Sequence, residues 1–146
     1  MTPESIFYTT CAIAAAGWII IVLLSPFWIG YDKFMVGIII ALLAICYAWL
    51  GFSYDLPGRL QDFTSFRGLR EMFSQDYVLT AAWVHLLAFD LLAAVWIKRN
   101  SVMHNIGHAV IIPALVFTCI FGPLGFIIYL LTRWIKTKKY FAENFN

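Results

Sequence analysis

The chain has 146 residues, of which 62% are hydrophobic and 12% charged, roughly half the charged share of a soluble domain, which argues against a water-solvated globule. A formal net charge of +2 leaves neither a basic face of the kind that tracks nucleic acid nor an acidic tail for a cationic partner. The charges are gathered between long apolar blocks, a pattern of membrane spans and loops.

The opening MTPESIFYTT lacks the basic segment of a signal peptide, and the apolar block behind it is too long for a signal core, so it reads as a retained helix. With no Arg- and Ser-rich transit segment ahead of it, the expectation is a bacterial inner membrane or an already trimmed chain of a thylakoid-type membrane. No charge lies between Glu4 and Asp32, and about 20 helical residues suffice to cover a hydrocarbon core of about 30 Å. The first span is therefore expected over residues 6–29, bent or ended by Pro26, with Trp28 and Tyr31 at interfacial level. A tight GYDK turn leads into a second span over 34–54, giving an antiparallel hairpin.

From Asp55 to Asp76 the chain turns polar, with a break at Pro57 and Gly58. Phe66, Leu69 and Phe73 share one helical face while Arg67, Arg70 and Glu71 fall elsewhere, as in a short helix lying in the headgroup layer; a solvated loop is the alternative. A third span is expected over 77–97, ending at Lys98 and Arg99, whose stems can reach the phosphate level. A fourth is expected over 109–132, closed by Arg133, Trp134 and Lys136. The resulting expectation is an all-α protein: one integral membrane four-helix bundle over 1–146, with a short interfacial helix between spans 2 and 3. With four crossings, seven Lys and Arg fall on the side of both termini and the middle loop and three on the other, which places both termini in the cytoplasm or its equivalent.

Chemistry is concentrated in AAWVHLLAFDLLAAVW, where His85 and Asp90 lie near the middle of the third span. Ionisable groups at that depth are costly and point to function. An aspartate there must find a donor or stay protonated, and either state suits proton transfer. The other reading is that Asp90 hydrogen-bonds across the bundle and fixes helix order, and that His85 is a neutral imidazole bonded to a neighbour. Five positions turn a helix by about 140°, so the two side chains do not share a face. Trp83 and Asp90 do.

The fourth span carries CIFGPLGF. Pro123 cannot donate to the carbonyl of Cys119, and Gly122 and Gly125 narrow the same turn, so a kink that admits another helix or a flat ligand is expected there. Pro113 helps to set the entry of that span. His104 and His108 have a spacing that could share a metal on a helix, but no carboxylate is nearby, and no metal site is assigned. Cys11, Cys46 and Cys119 lie in apolar blocks without CxxC spacing, as packing or lipid-facing thiols.

The runs GLREMFSQDY, AAWVHLLAFDLLAA and HAVIIPALVFTCIFGPLGFIIYLLTR together resemble the ABA-deficient-four-like family of membrane proteins, which includes plant neoxanthin synthase. The resemblance covers about residues 68–133. It implies a place in carotenoid metabolism, in which plant members are required to turn a diepoxide, violaxanthin, into an allene, neoxanthin. The family's motif positions fall here on Trp83, His85, Asp90, His108, Pro113, Gly122, Pro123, Gly125 and Arg133. Epoxide-to-allene isomerisation needs one proton delivered to the epoxide oxygen and one removed from a vinylic carbon, without redox change and without a cofactor. On that basis Asp90 is expected as the acid and His85 as the base, if the fold brings them to opposite sides of one polyene. Trp83, His108, Gly122, Pro123, Gly125 and Arg133 are expected to bind the substrate.

The functional expectation is a multi-pass protein that binds a carotenoid or related isoprenoid and isomerises it. The alternative is a non-catalytic subunit of a larger complex that binds pigment or lipid. Its partners are membrane lipid and the isoprenoid, and a bundle this small can place a site at a homo-oligomer interface as readily as within one protomer.

Overall fold

Thr2 opens the first helix in the usual way for a Thr-Pro-Glu start: its Oγ1 accepts from the amide of Ser5 at 3.2 Å, Pro3 fills the first turn and Glu4 follows it. The computed structural model describes residues 2–138; Lys139 and the rest of the C-terminal tail, included in the charge balance above, lie outside them. In chain order the helices are α1 (Pro3–Leu24), α2 (Tyr31–Ser53), a 3₁₀ stretch (Leu56–Thr64), α3 (Phe66–Phe73), α4 (Asp76–Met103), α5 (His108–Phe121) and α6 (Pro123–Thr137). No strand occurs among the described residues. The helices α1, α2 and α4 are each long and apolar enough to cross a membrane.

Their order follows from a few contacts. Phe7 and Cys11 of α1 meet Trp83 of α4, and further along Gly17 meets Leu91, so the two helices run parallel. Met35 of α2 reaches the same Gly17, while Tyr47 reaches His85, six residues before Leu91 on α4, so α2 runs antiparallel to both. A Cβ on Gly17 would lie 3.1 Å from Leu91 Cδ1 and from Met35 Cε; the missing side chain is what lets the three helices cross this closely. Ile21, Met35, Leu43, Val84 and Leu91, all buried, continue that seam.

The end of α1 is loosened rather than regular. Ile20–Leu24 winds as a π-helix, with the amide of Ser25 bonded to the carbonyl of Ile20 at 2.7 Å. Pro26 has no N–H to offer the carbonyl of Val22. That carbonyl instead accepts from Nε2 of His108 at 2.9 Å. Beyond the turn, Asp32 pairs with Arg99 near the end of α4, 3.6 Å between Oδ2 and Nε.

The polar segment includes a short helix, α3, capped by Ser65, whose Oγ accepts from the amide of Gly68 at 3.0 Å. Met72 is its buried side chain, while Phe66 and Phe73 are exposed.

Residues 109–132 depart from the single kinked span expected of them. They belong to two helices, α5 and α6, separated by Gly122 at φ 45° and folded back against each other. Gly125 shows how close they come: a Cβ there would run into the backbone and hydroxyl of Thr118 and the carbonyl of Ala114, all on α5. The physical reason is the pair of features in GPLG. Pro123 removes the N–H that would continue α5 and is suited to the first position of a new helix, and Gly122 adopts a positive-φ conformation that residues with a side chain rarely enter. The chain therefore reverses where a kink was expected.

Candidate functional site at the hairpin tip

The reversal places the start of α6 against the middle of α4. A Cβ built on Gly122 would sit 2.7 Å from Oδ1 of Asp90, so the carboxylate packs on the bare α-carbon of the residue that caps α6. From that point α6 runs alongside α4 in the same direction: Phe126 lies against Trp96, ring centroids 4.9 Å apart, and Tyr129 and Arg133 reach Asn100. Asp90 thus faces the N-terminal, electropositive end of a helix of 15 residues, an arrangement that favours negative charge. Among the described residues no hydrogen bond or ion pair engages the Asp90 carboxylate, and the side chain is half-buried. Cys119, exposed on the last turn of α5, lies within electrostatic reach of it.

His85 is elsewhere. Its ring lies between Tyr47, at 5.2 Å, and Phe89, at 4.6 Å between centroids, and it borders a cavity of about 350 Å³ that also touches Phe63, Phe73 and Leu86. That cavity lies between α2, α3 and α4, on a different side of α4 from the hairpin tip. The structure does not bring Asp90 and His85 to one cavity. The 140° between their positions persists because α4 is an unbroken helix across both.

Trp83 stands two turns before Asp90 on the same face of α4. Its Nε1 donates to Sγ of Cys11 at 3.2 Å, its ring lies 5.8 Å from that of Phe7, and it closes one end of a cavity of about 490 Å³ between the starts of α1 and α4. Tyr8, Leu79, Thr80, Glu4 and Asp76 also line that cavity.

The remaining expected residues divide by position. Gly122 and Pro123 form the tip and Gly125 seats α6 on α5. His108 ties the start of α5 to the Val22 carbonyl of α1. His104 engages a different carbonyl, that of Asn100, through Nδ1 at 2.9 Å. Among the described residues no group of three or more His, Cys, Asp or Glu side chains is placed to hold a metal. Pro113 lies inside α5, one turn from its start. Arg133, 1% exposed, donates from Nη1 to Oδ1 of Asn100 at 3.0 Å, and the same oxygen accepts from the hydroxyl of Tyr129 at 2.6 Å. Asn100 and Tyr129 were not singled out from the sequence. The available signal was the spacing of Tyr129 and Arg133, four apart and hence on one face of α6.

The fold and the site define an all-helical protein with three helices long and apolar enough to cross a membrane and a carboxylate at the tip of a helical hairpin. The chain belongs to the family described as ABA DEFICIENT 4-like, whose model matches residues 5–129. A curated relative is Protein ABA DEFICIENT 4, chloroplastic, of Arabidopsis thaliana, 32% identical over 75 residues; the match takes in 50% of this chain and 32% of the relative. The matched stretch thus spans about a third of the relative's length. No solved structure matches the chain.

Proposed function

We propose that this protein binds a carotenoid or related isoprenoid in the membrane and isomerises it by proton transfer at Asp90. The observation that carries the reading is the Asp90–Gly122 contact: a carboxyl group in the interior of a membrane helix, without a hydrogen-bonding partner among the described residues, held where a helix begins. The cavity lined by Phe7, Tyr8, Leu79 and Trp83 lies on the face of α4 that carries Asp90, two turns before it, and its aromatic walls suit a flat polyene.

Because His85 borders a separate cavity, the acid and the base need not be two residues. One carboxyl can serve both steps. Its O–H gives the proton to the epoxide oxygen as the C–O bond opens, and its other oxygen takes the proton from the adjacent vinylic carbon as the cumulated double bond forms. The proton count returns to its start and no electron leaves the substrate, so the step needs no redox partner. His85, with Tyr47 and Phe89, is assigned to holding an apolar part of a ligand in the second cavity.

The non-catalytic reading, a pigment- or lipid-binding membrane subunit, draws on the same contact, since a carboxylate seated on Gly122 also fixes α6 against α4. Asp90→Asn separates the two. Purified wild-type protein reconstituted in lipid with violaxanthin, and assayed for allenic product by chromatography and mass, is expected to lose about 10²–10⁴-fold in rate on this change, the usual worth of a positioned acid or base. A well-folded Asp90→Asn protein with an unchanged product profile refutes proton transfer and leaves the subunit reading.

A further inference from the structure

The helices α5 and α6 hold 14 and 15 residues, so each extends about 21–22 Å at 1.5 Å per residue, short of a hydrocarbon core of about 30 Å. Their positions along α4 show where those lengths lie. The tip, Gly122, meets Asp90; further along α6, Phe126 meets Trp96; and Tyr129 and Arg133 meet Asn100. The start of α5 lies at that same end, since His108 is joined to Val22 near the close of α1, and α1 closes beside the Asp32–Arg99 pair. Both open ends of the hairpin are therefore level with residues 100–104 of α4, and its closed end is level with residue 90, in the middle of that helix.

We infer that α5 and α6 form a re-entrant hairpin that enters and leaves the membrane on one face, so that the chain crosses three times and Thr2 and Lys136 lie on opposite sides. The distribution of cations agrees. Arg59, Arg67 and Arg70 lie on the side of Thr2 and the polar middle segment. Lys33, Lys98, Arg99, Arg133, Lys136 and Lys138 lie on the side where α1 ends, α2 begins, α4 ends and the hairpin opens. An imbalance remains, as for four crossings, but it now selects the opposite orientation: the hairpin mouth and the end of α6 face the cytoplasm, and Thr2 and residues 55–75 face away from it. Irregular backbone such as the Gly122 turn is tolerated at membrane depth where protein or a water-filled cavity covers it, and half-membrane helices are the known means of bringing a helix start to mid-depth.

The consequence deepens the reading of Asp90 as the reacting group and rests on it for the identity of the ligand. The hairpin fills the bundle from residue 90 to the cytoplasmic face, and the cavity that Trp83 closes lies in the other half, between the starts of α1 and α4. The ligand would be drawn from the non-cytoplasmic leaflet.

The test is sidedness. In a background with Cys11, Cys46 and Cys119 replaced by alanine, single cysteines are introduced as Asp62→Cys, Gly107→Cys and Lys136→Cys. Gly107 tolerates the change because nothing lies within 4 Å of a Cβ there. Intact bacterial cells expressing each protein are treated with a membrane-impermeant maleimide before and after permeabilisation. Asp62→Cys is expected to label in intact cells, and Gly107→Cys and Lys136→Cys only once the membrane is opened. Lys136→Cys labelling together with Asp62→Cys overturns the re-entrant hairpin; the reverse pattern at all three positions overturns the orientation. If the alanine background does not fold, trypsin added to sealed right-side-out vesicles of the wild type tests both points: cleavage at Arg59, Arg67 or Arg70 with Lys136 protected is expected, cleavage at Lys136 as well overturns the re-entrant hairpin, and protection of the middle segment overturns the orientation. Labelling requires no ligand, so an inactive or ligand-free protein leaves this result intact, and an unchanged product from Asp90→Asn bears on the function alone.

Discussion

Gly122→Ala probes the site most directly, because two separate effects meet at that α-carbon. The first is conformational: φ 45° with ψ −95° is a region L-residues rarely enter, and holding alanine there costs about 1–3 kcal/mol. The second is steric. The new methyl would lie 2.7 Å from Oδ1 of Asp90, so the carboxylate must move off the start of α6 and give up the favourable end of its dipole, worth about 0.3–1 kcal/mol at exposed sites and up to about 2 when partly buried. The sum is a loss of about 1.3–5 kcal/mol. Reversible unfolding in mixed detergent micelles measures it, in a cycle of Gly122→Ala, Asp90→Ala and the double variant. Removing the carboxylate abolishes the second effect but not the first, so the double variant should be less destabilised than the single losses added together, by about 0.5–2 kcal/mol. Additivity within about 0.3–0.5 kcal/mol, the behaviour of sites that do not touch, would refute the contact on which the functional reading stands.

Three further outcomes follow from contacts elsewhere. Gly125→Ala forces a methyl into the backbone of Thr118, which no rotamer change relieves, and should cost at least the roughly 1–3 kcal/mol of overpacking, whereas Gly37→Ala, with nothing within 4 Å, should be neutral or stabilising by up to about 1 kcal/mol; paired melting curves in detergent check the contrast. His108→Leu leaves the Val22 carbonyl without its donor at a cost of about 1–3 kcal/mol, and adding Pro26→Ala, which restores an N–H at that turn, should recover part of the loss; no recovery would mean that His108 acts otherwise than as that donor. Tyr129→Phe should cost about 0.5–1.5 kcal/mol, and Asn100→Leu clearly more, since it takes the shared acceptor from both the Tyr129 hydroxyl and the Arg133 guanidinium.

Much of the helical content was legible in the sequence because it is written in hydropathy, which the chain keeps even where the winding is irregular. The charge-free runs around Gly17 and Leu43 mark α1 and α2, the apolar run around Ala88, whose one formal charge is Asp90, marks α4, and Phe66, Leu69 and Phe73 on one helical face mark α3. Asp90 stood out because a carboxylate is rare in such a run. The direction of α6 was not legible. GPLG specifies a break, but a break reads alike whether the chain bends or reverses, and the choice is made by contacts distant in sequence: Gly125 on Ala114 and Thr118, Gly122 on Asp90, and Tyr129 with Arg133 on Asn100. The total of apolar residues in 109–132 was correct for one crossing, and its division into two shorter helices left that total unchanged. The separation of His85 from Asp90, by contrast, was legible as an angle; what the structure adds is that no bend in α4 overrides it.

The hairpin gives a physical reason for a carboxylate at this depth. Reversing a chain inside a membrane frees backbone groups: Pro123 supplies no N–H to the Cys119 carbonyl, and of the first amides of α6 those of Gly125 and Phe126 reach the Gly122 carbonyl while that of Leu124 has no preceding turn to bond to. Hydrocarbon cannot satisfy either kind of group. The tip must therefore rest on a polar neighbour or on a polar ligand, and Asp90, an acceptor when ionised and both donor and acceptor when protonated, can answer the free amide in one state and offer a proton in the other. A leucine at position 90 would leave the α6 start unmatched, and a lysine would oppose its dipole. Structural need and chemical opportunity coincide in one side chain. Asp90→Asn, which keeps a hydrogen-bonding group of the same size and removes the exchangeable acid proton, is thus the change at this position that separates the two roles. Folding should survive it, and turnover should not.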